Sequence, residues 1–380
     1  MITERVDTIE NRWSTEQLMV GASLSKWMAV LKANDFDVHP AYLHRAAWIT
    51  AMSLPSSALG RMEDVLYGRQ LMNMDVDPPP LFILGHWRSG TTHLHNLLGR
   101  DPSTTSSQLW QVVFPQSMIT TGKIGPKLLK GMIPDKRSYD NMALSWHEYA
   151  EDEIALAKLT GMSLYAGFMF PDTAAKYEKY IDFLECTDAE KRTWKHAFEY
   201  FVKKMMIASG GKRVIIKSCP HTARIRLLLE MYPTAKFVHI HRHPYETFAS
   251  LLHMRGKVDW ENYLQKPGKN FLDARREQSA VIGEKLYTRV IEDRKLIPAE
   301  NWIELAYSDF AGNELPHLEK LYAQFNLPDW ERYKRVITPY LDSLKGYQKN
   351  KLKIDQELKD FVYDRWRIVF DTYGYERNYP

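Results

Sequence analysis

Five consecutive residues, Arg88-Ser89-Gly90-Thr91-Thr92, put a guanidinium, three hydroxyls and a glycine into one short stretch. That set suits an anion with several oxygens, above all a phosphate. Leu81 to Leu84 precede it, four apolar residues that are enough for a buried strand. Gly85 and Gly90 bound the turn, and Leu94, Leu97 and Leu98 follow at i, i+3, i+4 on one helix face. A strand, a glycine-bounded loop and a helix start aim backbone N–H groups and the positive end of the helix dipole into one concavity. The loop departs from the triphosphate-binding form G-x-x-x-x-G-K-[ST]. Gly85 and Gly90 have the right separation, but Thr91 stands in the lysine's place and the cation lies inside the loop, at Arg88. The expectation is a phosphate held without the usual lysine and magnesium.

The elements that must carry this loop are spread along the chain. Arg213 to Lys217 (RVIIK) and Lys236 to Ile240 (KFVHI) read as buried strands. Helices follow them, through Ile225, Leu228 and Leu229 and through Phe248, Leu251 and Leu252. Trp302 to Tyr307 (WIELAY) reads as a fourth strand, after helices around 271–294. Alternation of strand and helix predicts an α/β fold with a P-loop-type, mainly parallel central sheet flanked by helices. Residues 1–77 read as a helical N-terminal segment packed on that core, with a break at Pro55 and a fresh cap at Ser56-Ser57. Pro78-Pro79-Pro80 closes the segment. Residues 78–380 form the α/β domain, with a large helical insertion at about 103–210 that is longer than a crossover needs. Long connections on such scaffolds carry specificity, so the insertion is assigned to substrate binding.

Composition removes several function classes. Lysine and arginine total 51 against 47 acidic residues, and a net charge of +4 on 380 residues gives no argument for nucleic acid. Cys186 and Cys219 are too few for a disulfide framework and lack zinc-ligand spacing, so a reducing, cytoplasmic compartment and no metal site are expected. No signal-peptide pattern is evident, and no apolar run reaches the roughly 18 residues of a membrane span. Aromatics and methionines in the N-terminal helices leave peripheral membrane contact open, and the oligomeric state is unread.

The loop resembles that of the sulfotransferases that use 3′-phosphoadenosine 5′-phosphosulfate (PAPS), in which [KR]-[ST]-G-T-T follows a strand. The arginine form is similar to the bacterial and tyrosylprotein branches. The resemblance implies that Arg88 contacts the leaving-group oxygens, while Ser89, the Gly90 amide, Thr91 and Thr92 hold the 5′-phosphate. It also implies an arginine at a strand end and a serine eight residues later for the 3′-phosphate, which Arg242 and Ser250 match. Lys217-Ser218 resembles a lysine–threonine pair near the family's active centre. The cytosolic members continue there with a histidine base, whereas this chain has Cys219, and His221 two residues on. Lys345 to Lys349 is the nearest counterpart of a basic stretch that closes over the nucleotide, without the family's arginine–lysine–glycine pattern.

Sulfuryl transfer of this kind needs in-line positioning, charge stabilisation on the leaving phosphate and a base for the acceptor's proton. Three candidates stand for the base: His147, which a helix would pair with Glu151 four residues on; Glu153 or Glu151 itself; and His221. His93 and His95 read as packing residues. The implied acceptor is a small molecule with a hydroxyl, apolar or lipid-like, with a carbohydrate as the alternative. A nucleotide kinase would need a lysine at 91, and a non-catalytic nucleotide-binding protein is the remaining rival.

Overall fold

Leu81–Leu84 forms β1, the centre of a five-stranded sheet in a computed structural model that describes residues 17–135, 144–345, 352 and 354–379. The other strands are β2 (Thr104–Ser106), β3 (Arg213–Lys217), β4 (Lys236–His241) and β5 (Trp302–Ala306). Their order is β2-β3-β1-β4-β5, and every pairing is parallel. The register sets Ile83 beside Lys217 and Leu84 beside His239, so the loops after β1, β3 and β4 leave the sheet at the same end. Loops beyond the carboxyl ends of parallel strands are where ligands bind in open α/β sheets.

The chain divides into two compact units. One, made of 77–106, 209–252 and 275–380, contains the sheet. Leu81 and Ile83 face a core with Leu94 and Leu97 of α3 (Thr91–Leu98), joined by Leu318, Leu321 and Phe325. Phe82 points the other way and stacks on Phe237 with centroids 5.2 Å apart. That alternation is the two-residue period of a strand buried on both faces.

The other unit gathers residues up to 76 with 107–208 and 253–274. Here α1 (Leu24–Ala33) and α2 (Leu43–Asn73) bury Trp27 and Ile49 with Met169, Phe170, Tyr263 and Leu264. Buried Arg45 donates from Nη1 to the carbonyls of Trp260 and Tyr263 at 2.8 and 2.9 Å. Glu63 and Lys204, both fully buried, pair at 2.5 Å, and Glu63 also accepts from the Thr120 amide at 2.7 Å. Met169 and Phe170, from 107–208, share this core with the N-terminal helices.

Three local expectations are corrected. The helix does not break at Pro55: α2 runs from Leu43 to Asn73 with the proline inside. Ile49 and Ser53 before it and Gly60 and Glu63 after it are all buried, and that packing opposes the roughly 3 kcal/mol cost of an interior proline. The hydroxyls of Ser56 and Ser57 donate back to the Met52 and Ser53 carbonyls instead of capping a new start. A fifth strand, β2, was not expected, because Thr-Thr-Ser has no apolar pattern to announce it. Residues 145–152 are turn and bridge, not helix, so His147 and Glu151 share no helix face. Among the described residues, no helix is long and apolar enough to cross a membrane.

Candidate active site

The loop between β1 and α3 is closed by contacts to neighbouring backbone. The Gly85 amide donates to the Thr222 hydroxyl at 2.8 Å. The amide and hydroxyl of Ser89 both donate to the His86 carbonyl, at 3.1 and 2.7 Å. Gly90 sits at φ 106, and a Cβ there would meet the Tyr307 ring at 2.4 Å. Arg88 takes φ 68, a left-handed conformation that costs a non-glycine residue about 1–3 kcal/mol and recurs at ligand sites. Beneath the loop, buried His86 donates from Nδ1 to the Trp87 carbonyl at 2.8 Å and stacks on Tyr287 with centroids 5.3 Å apart. Burial draws the His86 pKa down to about 4 despite that carbonyl, so the ring is neutral near pH 7.

Three cations gather at this end of the sheet, one per strand. Arg88 follows β1, and its Nε donates to Ser250 Oγ at 2.9 Å. Arg242 follows β4; its Nη1 reaches the Arg88 carbonyl at 3.4 Å and its guanidinium lies 4.8 Å from the Tyr307 ring centre. Lys217 ends β3 and its Nζ donates to Thr92 Oγ1 at 3.2 Å. Thr91 and Thr92 open α3, which brings its N-terminal amides and dipole to the same place. Guanidinium forks, an ammonium and a helix start around a glycine with no side chain are groups whose chemistry suits phosphate oxygens. No group of three or more histidine, cysteine or acidic residues among the described residues could hold a metal ion.

The structure thus brings together Arg88, Gly90, Thr91, Thr92, Lys217, Arg242 and Ser250, all on the sheet-containing unit. Ser89 is different: its hydroxyl and amide close the loop on His86, which gives it a structural part. His221 is fully buried in the turn after β3, edge-on to Phe82 at 6.1 Å. The remaining base candidates lie on the helical unit. His147 is exposed, with Nδ1 3.5 Å from Gln108 Oε1. Glu153 is fully buried at the start of the helix Glu153–Thr160 and accepts from the Ser163 hydroxyl at 2.7 Å, while Glu151 accepts from the Tyr165 hydroxyl. Lys345 is exposed and paired with Asp342 at 2.7 Å; Lys349 lies outside the described residues. His93 binds Glu314 at 2.9 Å and buried His95 meets Ser106, as packing residues do. Thr222, Tyr307 and His86 were missed, since nothing in their spacing sets them apart. Glu246, whose Oε2 accepts from Arg242 Nε at 2.6 Å, had a visible signal in its i, i+4 distance from the arginine.

An all-parallel sheet with a glycine-bounded cationic loop after its central strand is an α/β architecture of the P-loop type. Residues 79–332 match the profile of the Sulfotransferase family, Sulfotransfer_3. Over 372 residues the chain is 33% identical to the omega-hydroxy-beta-dihydromenaquinone-9 sulfotransferase Stf3 of Mycobacterium bovis, covering 97% of this chain and 95% of that one. The Mycobacterium tuberculosis Stf3 gives the same figures. Two crystal structures share the fold. Sulfotransferase STF1 of Mycobacterium tuberculosis H37Rv superposes with a TM-score of 0.65 at 17% identity, covering 90% of this chain and 91% of that one. STF9 of Mycobacterium avium gives 0.64 at 13%, covering 94% and 98%. The chain belongs to the sulfotransferase family, and it is an enzyme of sulfuryl transfer.

Proposed function

We propose that this enzyme takes the sulfuryl group of PAPS and delivers it to the hydroxyl of an apolar, lipid-like alcohol. The observation that carries the reading is the convergence of Arg88, Arg242 and Lys217 around a loop whose Gly90 has no room for a Cβ. The residues fit a donor with phosphate at both ends of its ribose. The Gly90 amide with Thr91 and Thr92 at the start of α3 holds the 5′-phosphate, and Arg242 with Ser250 holds the 3′-phosphate. Arg88 and Lys217 face the charge that builds on the leaving phosphate oxygen as the S–O bond breaks. Pre-set cations supply that stabilisation with little reorganisation, because Ser250 and Thr92 already hold their side chains. The acceptor oxygen bonds to sulfur, its proton passes to a base, and 3′-phosphoadenosine 5′-phosphate leaves.

The acceptor class rests on the relative named for a hydroxylated menaquinone derivative, at 33% identity over nearly the whole chain. The test supplies PAPS with a long-chain ω-hydroxy lipid, or with a carbohydrate, and follows the sulfated product. The lipid should be turned over and the carbohydrate not; the reverse preference would identify a carbohydrate O-sulfotransferase. Glu153→Gln, His147→Ala and His221→Ala separate the bases, because loss of the base removes the acidic limb of the pH–rate profile. Full rate in all three would refute the set.

A further inference from the structure

The last described residues return to the end of β4. After the helix Gln356–Tyr373, Gly374 turns the chain at φ 67. Residues 375–379 then meet the segment around Arg242 at three points. Tyr375 shares a 2.6 Å hydrogen bond with His241 Nδ1. His243 Nε2 donates to the Glu376 carbonyl at 3.2 Å, and its ring stacks on Tyr379 with centroids 3.8 Å apart. The Tyr379 hydroxyl donates to Glu246 Oε1 at 2.8 Å, and the other oxygen of Glu246 accepts from Arg242 Nε at 2.6 Å. Lys359 in turn donates to the Tyr379 carbonyl.

This chain of contacts sets the arginine. Burial opposes the Glu246 charge, but Arg242 beside it and the Tyr379 hydroxyl outweigh burial and keep the carboxyl below its ordinary pKa. An ionised Glu246 gripped on one oxygen by Tyr379 presents the other to Nε, while Nη1 reaches the Arg88 carbonyl at 3.4 Å, so the guanidinium plane is held from two sides. A planar fork recognises phosphate only if its plane is fixed, so a carboxylate that is itself fixed improves the match.

We propose that residues 375–379 form a strap that orients Arg242 for the nucleotide's 3′-phosphate, with Tyr379 as the positioning residue acting through Glu246. The inference rests on the assignment of Arg242 to the 3′-phosphate. Tyr379→Phe removes the hydroxyl and keeps the ring on His243, so it loosens the arginine without removing the strap. Dissociation constants for 3′-phosphoadenosine 5′-phosphate and for adenosine 5′-phosphate, which lacks the 3′ group, are measured on the full-length chain. Tyr379→Phe should weaken the bisphosphate by roughly tenfold, the scale of one side chain left to be ordered on binding, and leave the monophosphate unchanged. The donor KM should rise in step, with kcat at saturating donor preserved. In an Arg242→Ala background the same substitution should have no further effect. Equal weakening of both nucleotides, no weakening of either, or an undiminished effect without Arg242 would overturn the strap. A wild-type protein that binds both nucleotides alike would overturn the 3′-phosphate assignment itself, and the strap with it.

Discussion

At the scale of single residues, the site depends on a few cations held by neighbours and on one glycine. Arg88 sits in a left-handed conformation with its Nε already on Ser250. Arg88→Ala should lower kcat by about two to three powers of ten, the size seen when one donor to a transition-state charge is removed. Steady-state kinetics on the folded variant checks this, and unchanged turnover would remove Arg88 from the chemistry. Gly90 is required for space as well as for backbone. An alanine there would put its Cβ 2.4 Å from Tyr307 in a conformation that L residues rarely adopt, so Gly90→Ala should abolish nucleotide binding while β1 and α3 remain folded. Calorimetry with circular dichroism separates those two effects. Arg88, Gly90, Thr91 and Thr92 were legible as a motif because they are contiguous, and Arg242 and Ser250 because the resemblance fixes their spacing. Thr222, Tyr307 and His86 were not legible. They serve the loop from other segments, through contacts that exist only once β3, β5 and the helix Phe271–Asp293 are in place. Ser89 shows the converse: it belongs to the motif by sequence, yet its hydroxyl closes the loop.

At the scale of elements, strands with three or four apolar residues are legible in the sequence and β2 is not, because its three polar residues are a strand only through their pairing with β3. Helix starts and stops were less secure. Pro55 reads as a break because a proline's cost is local, whereas the burial on both sides of it is a tertiary fact. The condition that would pair His147 with Glu151, a helix over that segment, is not met for a tertiary reason too: Leu109 and Trp110 donate their amides to the Glu148 and Trp146 carbonyls, so its backbone bonds go to a neighbour. The helix Gln356–Tyr373 kinks at Trp366, whose indole packs on Gly283 of the helix Phe271–Asp293 and donates to the Ala280 carbonyl at 2.9 Å. A Cβ on Gly283 would lie 2.1 Å from that indole. Gly283→Ala should therefore destabilise by about 1–3 kcal/mol through overpacking, although alanine is the better helix former. Urea denaturation measures this, and a stabilised variant would contradict the packing.

At the scale of the whole molecule, buried histidines link stability to pH. His86 and His241 both have pKa values lowered to about 4, by burial in each case and for His241 by His239 as well. Unfolded histidine titrates near 6.5. Between pH 6.5 and 4 the unfolded chain takes up protons that the folded chain refuses, so stability is whole above 6.5 and falls as the pH drops. His86 alone accounts for up to about 3 kcal/mol across that window. Urea midpoints at pH 7.5, 5.5 and 4.5 should decline, less steeply in His86→Gln; a level profile would contradict the neutral, buried ring. The central claim concerns the nucleotide. Calorimetric titration with 3′-phosphoadenosine 5′-phosphate, beside ATP with Mg²⁺, tests it most directly. The account predicts binding of the bisphosphate, weakened at least about tenfold in Arg242→Ala, as expected when a charged pair to phosphate is lost. Preference for ATP with Mg²⁺, or binding of neither, would contradict it.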